Sequence, residues 1–190
     1  MKKIPLFPLP LVLLPGEILP LRIFEPRYLE MVAECMKNNS LFGITPEIKN
    51  NLQNLSIGTS AEIISWEKSE DKTLHIIAKG KDKFKISNFE VLKSGLKIGE
   101  TVFFKETDPT PSMGHPDLEE IAKKINSEEN LFEAFPNSAS DLAYFLASRI
   151  GFDAEEKIKI LIAETGDEKL DIVRKTLKTI QVLSHSETIH

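Results

Sequence analysis

The first 28 residues are mostly apolar, yet prolines break them too often for a helix. Proline donates no hydrogen bond and clashes with the preceding turn. Pro8, Pro10 and Pro15 together would cost a helix about 9 kcal/mol if their effects added. An extended path fits instead: a short strand, a turn at Pro15-Gly16, then a second strand from Ile18 to Phe24. Leu19, Leu21 and Ile23 then point one way and Pro20 and Arg22 the other, the alternation of a half-buried sheet. Pro26 suits the start of a helix, where its missing N–H is no loss. From Arg27 to Asn39, Tyr28, Met31, Val32 and Cys35 recur at helical spacing on one face.

The pattern then turns to β. Leu41–Ile44 reads as a short buried strand and Pro46–Asn54 as a polar loop. Ile57–Glu67 and Thr73–Ala78 read as strands joined by a hairpin tip at Lys68–Lys72. Gly80 marks a bulge or bend, and Lys83–Phe89 continues with Phe84 and Ile86 on one face. Gly95 and Gly99 are expected to flank a turn before a strand from Glu100 to Lys105. Short strands with polar turns predict a small barrel or curled sheet.

Glu106–Pro116, with three prolines and a glycine, reads as a stiff connector. Helical periodicity follows it. Leu118, Ile121, Ala122 and Ile125 form one stripe, with Pro116 near the helix start. Ser138 or Ser140 caps a second helix, which Gly151 closes. Asp153 and Glu156 form a capping box for a third, expected to end at Gly166. Asp167 opens a last helix running to about Leu183, with a frayed tail from Ser184. The expected class is therefore α+β: a β-rich pseudo-barrel over residues 1–107, then a helical lobe over residues 115–184.

Composition adds constraints. A chain of 190 residues with 41% hydrophobic and 28% charged residues is ordinary for a globular fold. The net charge of −5 argues against bulk nucleic-acid binding, which rests on clustered Lys and Arg. A lone cysteine, Cys35, forms no internal disulfide and points to a reducing compartment. Met1-Lys2-Lys3 before apolar residues mimics a secretory signal, but the prolines and the lack of a small-residue cleavage site favour a cytoplasmic location. No apolar run is long enough to span a bilayer as a helix.

Catalytic chemistry is sparse. His75, His115, His185 and His190 lie far apart, and none sits at metal-ligand spacing with Cys35 or a carboxylate. Gly80-Lys81 lacks the upstream glycine and following hydroxyl of a phosphate loop, and no nucleophile elbow occurs. No catalytic residue, metal ligand or cofactor is expected. Lys79, Lys81, Lys83 and Lys85 would share one face of a continuous strand, either as an anion or RNA contact or as a solvated face that deters strand aggregation.

Leu-Pro-Leu-Arg-Ile-Phe-Glu at Leu19–Glu25, preceded by Pro15-Gly16 and followed by Pro26-Arg27-Tyr28, resembles the opening of the LON domain. That domain is the N-terminal substrate-recognition region of ATP-dependent Lon proteases and also occurs alone. Ala78–Ile86, Ala139–Ala147 and Lys159–Thr165 are similar to later segments of the family. Asp82 departs from it, since a basic residue is more usual there. The resemblance implies one LON domain made of both lobes and no enzyme activity, because the ATPase and Ser-Lys protease regions would follow the helical part. It implies binding of unfolded or partly unfolded polypeptide segments, or of a protein partner, with Leu11, Leu13, Leu19, Leu21 and Phe24 as candidate contacts. The alternative is an RNA- or nucleotide-binding module of PUA-like shape using the Lys79–Lys85 face; an unrecognised hydrolase comes third.

Overall fold

The computed structural model describes residues 1–47, 56–71, 73–104, 111–112, 114–128 and 135–187. The chain divides into two compact units, Met1–Lys105 and Glu106–His190. The first holds strands β1 (Lys2–Leu9), β2 (Ile18–Ile23), β3 (Phe42–Pro46), β4 (Ile57–Lys68), β5 (Leu74–Val91) and β6 (Lys97–Phe104), with helix α1 (Pro26–Asn38) between β2 and β3. The second holds α2 (Pro116–Glu128), α3 (Ala139–Arg149), α4 (Ala154–Ile162) and α5 (Gly166–Glu187). This is the mixed α+β class the sequence predicts.

The strands run in the order β2-β5-β4-β3-β1-β6, and β6 returns to β5. Five strands thus close into a barrel, and β2 is added along the first half of the long β5. Neighbours are antiparallel except β1 and β3. The prolines of β1 are tolerated for a simple reason. Lys2–Pro5 pair only with β6 and Phe7–Leu9 only with β3, with Leu6 paired to both. Pro5 and Pro8 therefore each sit in a singly paired stretch, where a missing N–H need break no ladder.

The Pro15-Gly16 turn forms as expected, with Gly16 at φ +81° and Glu17 N donating to Leu14 O at 3.1 Å. It is strapped to β5, since Gly16 N donates to Gly80 O and Gly80 N donates to Glu17 O, both at 2.9 Å. A Cβ on Gly80 would overlap the Leu14 carbonyl, which explains the glycine. Next to it the β4–β5 register slips between Thr59↔Lys83 and Ala61↔Gly80. Phe84, fully buried, fills the barrel with Ile4 and Leu6. A larger cluster joins Phe7, Leu13, Phe42 and Ile76 to Tyr28, Met31, Val32 and Cys35, the predicted face of α1.

Three boundaries differ from expectation. Gly99 lies inside β6, where a Cβ would meet Leu6 Cδ1 at 2.8 Å, so packing rather than turning selects it. Gly166 does not end α4; it is the first residue of α5. The signal overlooked is Thr165 and Glu168: Glu168 N donates to Thr165 Oγ1 at 3.3 Å and Thr165 N donates to Glu168 Oε2 at 3.2 Å, a second capping box. The last helix runs to Glu187, past the expected fraying at Ser184. The Asp153–Glu156 box is present, and Ser138, not Ser140, caps α3 by accepting from Asp141 N at 3.1 Å. Most of the polar loop over Pro46–Asn54 and of the connector over Glu106–Pro116 lies outside the described residues.

Candidate functional site

Exposed apolar side chains gather where β2, β5 and β4 run side by side. On the inner face of this sheet the register sets Leu21, Ile76 and Trp66 in one row. On the outer face it sets Pro20, Ile77 and Ser65 in one row and Arg22, His75 and Glu67 in the next. A second register slip, between Ile63↔Ala78 and Ser65↔Ile77, makes Ile64 an extra residue on β4. Such a bulge reverses which residues face inward. Before it the odd positions Ala61 and Ile63 face the core; after it the even position Trp66 does.

Trp66 falls beyond the cover of α1 and stays 56% exposed, with Ile64 at 49%, Ile77 at 38% and Phe24 at 66%. Two hollows flank it. One, of about 330 Å³, lies toward the end of α1 and is lined by Cys35, Met36, Leu41 and Ile63 among others. The other, of about 360 Å³, involves Pro20, Arg22, His75 and Ile77. The indole borders both.

The hairpin carrying Trp66 is braced to β2. Arg22 Nη2 pairs with Asp71 Oδ2 at 2.6 Å. Asp71 Oδ1 accepts from the Thr73 hydroxyl at 2.6 Å and from its backbone N–H at 3.1 Å. The hydroxyl bond first, then the backbone bond, hold the Asp71 carboxyl far below the usual carboxylate range, with Arg22 adding to them. Just past the same end of β2, Glu25 and Arg27 satisfy each other at 2.7 Å, and Arg27 Nη1 donates to Gly95 O at 3.2 Å.

The predicted contact residues divide. Leu13 is 2% exposed and has no surface to offer a ligand. Leu11, Leu19 and Leu21 are half-buried and pack against the core, whereas Phe24 is open to solvent. The lysine row lies on the outward side of β5, alternating with buried Ala78, Gly80 and Phe84. Lys81 is engaged with Glu62 at 3.2 Å, and Lys85 lies over the Phe104 ring at 5.4 Å. Lys79 and Lys83 are half-buried. Sequence reasoning missed Ile64, Trp66 and Ile77, although the doubled Ile63-Ile64 announces the change of parity.

Cys35 is buried, and burial pushes its thiol pKa up, away from a reactive thiolate. Among the described residues no three His, Cys, Asp or Glu side chains cluster as a metal site, and no helix is long and apolar enough to cross a membrane. His115, in the helical unit, is held between Arg174 Nη2 at 2.9 Å and Asp167 Oδ1 at 3.4 Å.

Residues 3–179 match the model of the ATP-dependent protease La (LON) substrate-binding domain. The chain is 23% identical to the protein cereblon of Gallus gallus over 125 residues, which is 64% of this chain and 28% of that protein. It is 26% identical to the Lon protease of Desulfosudis oleivorans over 190 residues, 92% of this chain and 22% of that one. The chain spans less than a third of these relatives. The Lon N-terminal domain protein from Xanthomonas campestris has the same fold, with a TM-score of 0.78 and 24% identity over 92% of this chain and 98% of that one. The N-terminal domain of Mycobacterium avium complex Lon protease superposes with a TM-score of 0.65 and 13% identity, covering 91% and 97% of the two chains.

Proposed function

This chain belongs to the LON substrate-binding domain family, and from that premise we propose that it is a non-enzymatic module that holds polypeptide segments on the apolar surface around Trp66. The carrying observation is that half-exposed Trp66 lines two hollows, with Ile64 exposed near it on β4 and Ile77 exposed on the outer face of β5. Apolar surface of this kind gains free energy by covering roughly 25 cal/mol per Å² without requiring a particular sequence. That suits recognition of many partly unfolded segments. Half-exposed Trp is also the residue type in which binding energy concentrates.

The engagement of Lys81 with Glu62 and of Lys85 with Phe104 weighs against a free cationic face as the primary site. The two readings part in a binding assay. A reduced, carboxymethylated protein should bind with little loss between 50 and 300 mM salt, roughly the range over which phosphate contacts fail. Trp66→Lys should abolish that binding, and Lys81→Glu with Lys85→Glu should leave it in place. RNA affinity that falls steeply with salt, and is lost in the double glutamate variant, would replace this reading with the alternative.

A further inference from the structure

β3 pairs with β4 only from Thr59 to Ala61, where Phe42 meets Ala61. Just before Phe42 the chain turns away: Asn39 adopts a left-handed conformation at φ 48°, and Ser40 N donates to Cys35 O at 2.9 Å. The far side of β4 beyond Ala61 is therefore paired with no strand among the described residues. The lane that β3 would occupy had it continued is the hollow beside Cys35, Met36 and Leu41. An open strand edge next to a side-chain pocket is the arrangement by which an extended segment adds to a sheet.

The lane is two-faced. Its inner side offers Ile63, Trp66 and the hollow. Its outer side carries Glu62, which Lys81 already holds at 3.2 Å, and Glu67, exposed and in no ion pair among the described residues. At about 3.3 Å per residue, six residues of β4 present an edge of roughly 20 Å. Resting on the polypeptide-binding reading above, we infer that this lane takes a short extended segment alternating apolar and basic side chains. Its apolar residues enter the hollow beside Trp66, a basic residue faces the unpaired Glu67, and its backbone bonds to β4. Charge complementarity selects basic over acidic occupants.

The test uses the whole protein and the emission of Trp66, the chain's single tryptophan. The probe is a capped six-residue peptide alternating leucine and lysine. It should shift the emission to the blue and saturate, and its leucine–glutamate counterpart should bind at least fivefold more weakly. In an extended strand, alternate amides point to opposite sides, so N-methylating only the leucine or only the lysine amides blocks one edge each. One pattern should lose at least tenfold in affinity while the other stays within threefold of the parent. Equal behaviour of the two patterns, equal binding of the acidic peptide, or no binding of the parent overturns the lane. If carboxymethylated protein still binds when the hexapeptides do not, the lane fails and the broader function stands; if neither binds, both fail.

Discussion

Trp66 stands across from Ile76 in the β4–β5 register, yet Ile76 is 1% exposed and Trp66 56%. Both lie on the inner face, with Leu21 completing the row from β2. What separates them is cover: α1 lies over Ile76, and the sheet carries Trp66 out past the helix. A large apolar side chain is thus turned inward by a bulge at a place where there is nothing left to bury it.

Because Trp66 is half exposed, replacing it should spare the fold. Trp66→Ala is expected to weaken binding of unfolded polypeptide about tenfold. Its unfolding free energy should stay within roughly 0.5 kcal/mol of the parent, as for an ordinary surface change. Fluorescence anisotropy of labelled polypeptide and urea unfolding read the two quantities. A large loss of stability with unchanged binding would place Trp66 in the structural framework instead.

The barrel interior behaves oppositely. Phe84 is fully buried, and a Cβ on Gly43 or Gly58 would come within 2.6 or 2.7 Å of its ring. Phe84→Ala should cost about 3–5 kcal/mol. Gly43→Ala should cost about 1–3 kcal/mol by overpacking. Because the added methyl and the ring compete for one space, the double variant should be less destabilised than the sum; additive costs in urea melts would contradict this packing.

Asp71 supplies a pH dependence. Its carboxyl pKa is lowered in the fold, so the stabilisation it brings is fully present above the unfolded value near 3.9. That stabilisation is lost as pH falls toward the folded value. Asp71→Asn should flatten this part of the acid limb. Thr73→Val should raise the carboxyl pKa further than Arg22→Ala, since the Thr73 hydroxyl bond is the largest contribution. Titration followed by carboxyl-carbon NMR decides the order, and a larger effect of Arg22 would reverse the assignment.

In the helical unit, Asp153 accepts from Glu156 N at 2.8 Å and Glu156 Oε2 accepts from Asp153 N at 3.1 Å. Asp153→Ala should cost about 1 kcal/mol, and Asp153→Ser much less, because serine also caps. Equal losses in chemical unfolding would show that the cap contributes little.

Much of the architecture was legible because it is written in local chemistry. The prolines exclude a helix before Pro26, the spacing of Tyr28, Met31, Val32 and Cys35 marks the buried face of α1, and Asp153 with Glu156 marks a helix start. Gly166 misled because the Thr165–Glu168 capping box beside it starts a helix; Gly99 misled because a glycine signals either a turn or a close approach, and only the neighbours decide. Leu6 decides for Gly99. The candidate site was hidden for a different reason. Exposure of Trp66 depends on where α1 ends relative to β4, a long-range relation that alternation along β4 does not encode. Burial of Leu13 in the core is equally a property of the closed sheet, not of the apolar stretch that contains it.

The most direct measurement of the central claim is titration of the protein with a permanently unfolded protein that contains no tryptophan, following Trp66 emission. The account predicts a saturable blue shift that persists at 300 mM salt and disappears in Ile64→Lys, a substitution beside the indole at an exposed position. Binding that leaves the emission unchanged, or no binding at all, would contradict it.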